Sequence, residues 1–141
     1  MDKKKHALTN NLITGIDKYI YYLSETFPGS VHEMTILEEE KLLFPDGINL
    51  YQDLGYQGHI PDNINIFQPL KKPRDLELSE EDKEINRTIA AIRIKVEHAI
   101  RDVKIFRIVK EIIRNWSYGF KDKVMEICCG LSNFKIRPHK I

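Results

Sequence analysis

The longest regular pattern along the chain is helical. Ile85, Ile89, Ile92, Val96, Ala99 and Val103 recur at spacings of four, three, four, three and four, which stacks them on one face of an α-helix. Ser79 and Asp82 form a capping-box pattern ahead of that stripe, and Glu80 and Glu81 sit where the helix dipole favours acids. The pattern predicts a long helix whose apolar stripe faces a core. A second apolar helical segment covers residues 120–134, with Trp116 and Tyr118 ahead of it as core anchors.

The first half of the chain alternates more than it stripes. Residues 6–14 and the β-former-rich residues 19–24 flank Gly15-Ile16-Asp17-Lys18, which predicts an antiparallel hairpin over residues 6–24. Pro28-Gly29 makes residues 26–30 a loop. Residues 31–44 read as a helix capped by Ser30, with Glu33 at the acidic capping-box position and Pro45-Asp46-Gly47 as its stop. Residues 49–53 form a short apolar run ending in Asp53, expected as a strand beside the first hairpin strand, inside the sheet. Residues 60–63 are a turn, residues 64–68 a further strand ended by Pro69, and residues 71–75 a polar loop. Strands followed by long helices predict a mixed α/β domain, a sheet covered by helices.

Composition narrows this only a little. At 141 residues the chain makes one domain with a single core, and 42% hydrophobic with 30% charged residues is ordinary for a globular protein. The 22 basic and 21 acidic residues nearly cancel, so total charge does not indicate a partner. Distribution does: residues 77–84 are acidic, whereas between residues 93 and 114 Arg93, Lys95, Arg101, Lys104, Arg107, Lys110 and Arg114 outnumber Glu97, Asp102 and Glu111. Cys128 and Cys129 are adjacent, which suits neither an ordinary disulfide nor a zinc knuckle, and they read as small buried hydrophobes. No run approaches the roughly 18 apolar residues of a membrane span. The lysine-rich start is not followed by the apolar core of a signal peptide, so the default is a reducing cytoplasm and no membrane partner.

Two acids stand out. Asp53 ends a strand just before Gly55, and ligands of α/β sheets bind beyond the carboxyl ends of strands; the plainer reading is a turn aspartate. Glu97 shares a helix face with Asn86, Ala90, Arg93, Arg101 and Lys104 and stands four residues from each arginine. The plainer reading there is a surface ion-pair ladder worth about 0.3–0.5 kcal/mol per pair. Lys71 and Lys72 read as a solvated connector or as a basic lip beside a phosphate backbone.

Pro28-Gly29-Ser30-Val31-His32-Glu33, Asp53-Leu54-Gly55-Tyr56, and Asn86-Arg87 with Arg93 through Lys95-Val96-Glu97-His98 resemble, in order and spacing, the DDE-superfamily endonucleases of insertion-sequence and Harbinger-like transposases. The resemblance covers almost the whole chain. It implies an RNase H-like fold and a nuclease whose carboxylates hold two divalent metals, Mg²⁺ or Mn²⁺. By position, Asp53 is the second carboxylate and Glu97 the third. Glu33 stands where the family often places a further metal-ligating aspartate; its additional methylene shifts the carboxylate by ~1.5 Å, and misplacement on that scale can cost about 100-fold in rate. The implied partners are DNA, both transposon ends and target, and a second copy of the chain or a full-length transposase. Arg93, Arg101 and Lys104, with Lys71 and Lys72, would contact DNA phosphates. The Lys3-Lys4-Lys5-His6 stretch resembles the segment just after the family's first-strand aspartate, and neither Asp2 nor Asp17 matches that residue. The resemblance therefore implies a domain truncated at its N-terminus, either part of a split enzyme or an inactive remnant that still binds DNA or a full-length transposase.

Overall fold

The computed structural model describes residues 7–56, 58, 61–111, 115 and 117–137. His6, Ile60 and Trp116, which figure in the expectations above, lie outside the described residues. Six short strands and four helices follow one another: β1 (Leu8–Thr9), β2 (Leu12–Thr14), β3 (Ile20–Leu23), β4 (Phe27–Pro28), α1 (Glu33–Glu40), β5 (Asn49–Tyr51), β6 (Asn65–Phe67), α2 (Glu80–Lys104), α3 (Arg107–Lys110) and α4 (Phe120–Ile136). A 3₁₀ turn, Leu54–Tyr56, follows β5. The domain mixes helix and strand, as the pattern indicated.

The hairpin is β2 with β3, paired antiparallel with Leu12 opposite Leu23 and a bulge between Ile13 and Thr14. The segment ahead of β2 is not continuous with it. Leu8–Thr9 pairs instead with Phe27–Pro28, in what was expected to be a loop. Proline fits that short edge because it needs no N–H in a ladder. Gly29 is required beside it: its N–H donates to the Ala7 carbonyl at 2.7 Å, and a Cβ there would lie 2.7 Å from Ala7 Cβ.

β5 differs from expectation in its partner. It pairs in parallel with β6, Leu50 opposite Ile66, and does not join the hairpin in any ladder of the described residues. Stacked rings of Tyr51 and Phe67, 4.9 Å apart, and a 3.0 Å bond from Asn65 Nδ2 to Asn49 Oδ1 hold that register; side-chain affinities across strands set pairing, and they are invisible to a period-2 pattern. Helix α1 also starts later than expected. Its cap is His32, whose Nδ1 accepts the Met34 N–H at 3.2 Å, and it ends at Lys41 in the left-handed region.

The core lies where the long helices meet the hairpin. Ile20, Val103, Val124, Cys128 and Cys129 form it, with Leu12, Leu23 and Phe106 packed alongside. Both cysteines are buried and free. The α2 stripe is buried at Ile89, Ala99 and Val103, but Ile85 at its start is 45% exposed. Tyr118, expected as an anchor, is fully exposed, so α4 is held from elsewhere. Asn133 does that: its Oδ1 accepts the Ile20 N–H at 2.7 Å and its Nδ2 donates to the Ile20 carbonyl at 2.8 Å. One carboxamide thus satisfies both backbone groups of a β3 residue, as a neighbouring strand would. No helix of the described residues is long and apolar enough to cross a membrane.

Candidate active site

Ser79 caps α2 by accepting the Asp82 N–H at 3.1 Å, so the cap read from sequence forms. The helix then runs without interruption past Arg93, Glu97, Arg101 and Lys104 and packs against β5. β5 delivers Asp53 two residues beyond its end, where Asp53 Oδ1 accepts the Leu54 N–H at 2.8 Å and starts the 3₁₀ turn. Asp53 therefore has a turn role, as the plain reading held, but its second oxygen faces α2.

That oxygen meets Arg93. Asp53 Oδ2 lies 3.4 Å from Arg93 Nη2, and Glu97 Oε1 lies 3.4 Å from Arg93 Nε. Both nitrogens belong to one guanidinium, so two carboxylates far apart in sequence share a single cation. The side chains of Arg93, Asp53 and Glu97 are 57%, 51% and 61% exposed, which keeps each pair to about 0.2–1 kcal/mol. The ladder expected on α2 is only half formed, because Arg101 makes no ion pair among the described residues.

Glu33 approaches from the other side. It begins α1, which packs on the 3₁₀ turn, and its Oε2 lies 3.7 Å from where a Cβ on Gly55 would stand. Burial, then the Glu33 carboxylate, then that of Asp53, push the Tyr56 hydroxyl from 10.0 up to about 12. Both acids thus act on one phenol. The Tyr56 hydroxyl donates to Asn11 Oδ1 at 2.9 Å, and Asn11 Nδ2 donates to the Glu33 carbonyl at 2.9 Å. The Asn11 backbone exchanges bonds with Ser24, its N–H donating to Ser24 Oγ at 2.8 Å. Asn11, 7% exposed, thereby fixes the starts of β2 and α1 and the Asp53 turn relative to one another. Sequence reasoning missed this bracket. Its signal was present, since two asparagines interrupt an otherwise strand-like run and Tyr56 closes the Asp-x-Gly-Tyr stretch.

Glu33, Asp53, Arg93, Glu97 and Lys104 all line one open cavity of about 580 Å³. Its apolar wall includes Leu12 and Ile13 of β2, Leu50 of β5 and Ile89 of α2. Among the described residues β2 pairs only with β3 and β5 only with β6, so each leaves one edge without a ladder, and residues of both strands line this cavity. Lys71 and Lys72 are held near α2 by another asparagine: Asn86 Oδ1 accepts the Leu70 N–H at 2.8 Å and its Nδ2 donates to the Leu70 carbonyl at 3.1 Å. Lys72 also lies 3.8 Å from Glu77.

The donor chemistry suits a hard divalent cation. Asp53 and Glu97 present carboxylate oxygens around a position that already holds one positive charge, and Mg²⁺ is commonly bound by one or two carboxylates plus substrate phosphates. Among the described residues no three acidic, histidine or cysteine side chains converge closely enough to hold a metal. The carboxylates that meet at one cation position are two, Asp53 and Glu97.

Comparison with known proteins gives one consistent answer. The family model described as DDE superfamily endonuclease matches residues 1–133. A probable transposase for insertion sequence element IS702 from Microchaete diplosiphon is 34% identical over 110 residues, which cover 77% of this chain and 39% of that protein. The chain thus spans about two fifths of the length of the relative it matches. No solved structure matches it.

Proposed function

Since the chain belongs to the DDE superfamily endonucleases, we propose that it serves in divalent-metal-dependent cleavage and transfer of DNA strands during transposition, with Asp53 and Glu97 as its metal-holding carboxylates on an RNase H-like sheet. The observation that carries this reading is the shared guanidinium: a strand end and a helix face bring two acids to one cation position. Asp53 and Glu97 would hold a Mg²⁺ or Mn²⁺ ion, which would supply Lewis-acid charge stabilisation to a phosphodiester oxygen. The residues of the chain hold and orient. The Leu54 N–H fixes Asp53, the Asn11 bracket ties Glu33 to the same turn, and Glu33 is a further oxygen donor at the edge of the cavity. Lys104 lines the cavity, and with Arg101, Lys71 and Lys72 it would meet a phosphate backbone, positioning DNA without reading its sequence.

A second reading is favoured by a specific observation. Among the described residues no three potential ligands converge, and two strand edges border one cavity without a ladder. Both fit a catalytic sheet that needs a further strand and its carboxylate, in which case this chain alone binds DNA or a full-length transposase and cuts slowly or not at all. A plasmid-nicking assay with Mn²⁺ on the chain and its Asp53→Ala variant, run beside DNA binding across a salt series, tests both readings. The expected result is binding that falls steeply with salt, equal in both proteins, with nicking low and confined to the unsubstituted chain. Strong Asp53-independent nicking would remove Asp53 from the site, and strong Asp53-dependent nicking would show that no further carboxylate is needed.

A further inference from the structure

We propose that Arg93 is a positioning residue that acts as a tethered stand-in cation: it holds the Asp53 and Glu97 carboxylates together and yields its place when a divalent metal binds. The inference rests on the metal-site reading above and adds to it a direct competition. Asp53 Oδ1 already accepts the Leu54 N–H at 2.8 Å, so Oδ2 is the less engaged of its oxygens, and Oδ2 is the atom that lies 3.4 Å from Arg93 Nη2. On Glu97 the contact is likewise to a carboxylate oxygen, 3.4 Å from Nε. Arginine and metal therefore compete for the position between the same two carboxylates.

The guanidinium suits this role for a geometric reason. It is planar and forked, and two of its nitrogens, Nη2 and Nε, each lie 3.4 Å from a different carboxylate, a spread that a lysine ammonium does not match. It is also placed to leave. All three side chains are more than half exposed, so water competes for each pair and neither is strong. Because Arg93 lies four residues before Glu97 on α2, a rotamer change is enough to clear the site while the helix stays in place. Without the arginine, two carboxylates face one position with no compensating charge, and the local charge changes from one negative to two. Removing it therefore favours a divalent ion even though some preorganisation is lost.

Mn²⁺ binding to the 141-residue chain, followed by electron paramagnetic resonance of the free ion, tests this without reference to DNA cleavage. Arg93→Gln is expected to bind Mn²⁺ about three- to tenfold more tightly than the unsubstituted chain, the gain from releasing two weak pairs, whereas Asp53→Asn binds more weakly. Arg93→Lys keeps the charge but loses the fork, and tightens binding about twofold; should Arg93→Gln lose its helical circular dichroism, Arg93→Lys decides the matter. Equal or weaker binding by the arginine variants, with Mn²⁺ bound by the parent chain, overturns the competition and leaves the metal site standing. Absence of Mn²⁺ binding from parent and variants alike removes the metal site and this inference together.

Discussion

Asn11 is the residue whose loss should be felt most around the site. Its buried side chain donates to the Glu33 carbonyl and accepts from the Tyr56 hydroxyl, and a buried polar group left without its partner costs about 1–3 kcal/mol. Asn11→Ala should lower unfolding free energy by roughly 2–3 kcal/mol in urea titrations, and a loss under about 0.5 kcal/mol would mean the bracket carries nothing. Tyr56 adds a pH test. Its hydroxyl is raised from 10.0 to about 12, so the folded state keeps the proton more tightly than the unfolded chain does. That contribution to stability is complete below pH 10.0 and disappears as pH rises through about 12. The loss of stability over this window should be smaller in Tyr56→Phe than in the parent, and identical slopes would contradict the assignment. The sequence offered Tyr56 only as the end of the Asp-x-Gly-Tyr stretch and Asn11 only as part of an asparagine pair, so neither was read as a site residue. An asparagine pair in a β-rich run reads as an interruption, and only the fold shows which carbonyl and which hydroxyl it meets.

Elements with their own periodicity were readable, and those defined by a partner were not. The start of α2 follows from Ser79 and its acidic first turn, and α4 extends over Phe120–Ile136 against an expected 120–134, because stripes of period 3.6 and end signals are local. The two cysteines followed from the same stripe and are buried as expected. The pairing of β5 with β6, the ladder of β1 with β4 and the capping of α1 by His32 depend on contacts that a local pattern does not encode. Tyr118 was misplaced because aromaticity alone does not say which side of a loop faces inward. Besides the core packing of Val124, Cys128 and Cys129 on Ile20, Asn133 attaches α4 to the hairpin, and Asn133→Ala should strand both the N–H and the carbonyl of Ile20. An unfolding free energy lower by about 2 kcal/mol or more is expected from calorimetry or urea titration. A neutral substitution would mean that water replaces the carboxamide and that packing alone docks α4.

For the molecule as a whole, local order outruns sheet order. Three two-stranded ladders are formed among the described residues, none joined to another, and the candidate site lies where the edges of two of them meet a long helix. The expectation that β5 would lie against the first hairpin strand fails in its hydrogen bonds, although both strands line the same cavity. Family motifs still brought Asp53 and Glu97 forward from the sequence, since each lies in a short stretch of recognisable residues, whereas the cation they share could be found only in three dimensions. The proposed function requires that these two acids hold one divalent metal. Its most direct test is localised oxidative cleavage of the backbone by Fe²⁺ bound in place of Mg²⁺, with the fragments identified by mass spectrometry. Cuts are expected to cluster around residues 53 and 97, to be suppressed by excess Mg²⁺ and to be lost in Asp53→Asn; cuts elsewhere, or cuts at those positions that survive both controls, would rule out a metal held by these two carboxylates.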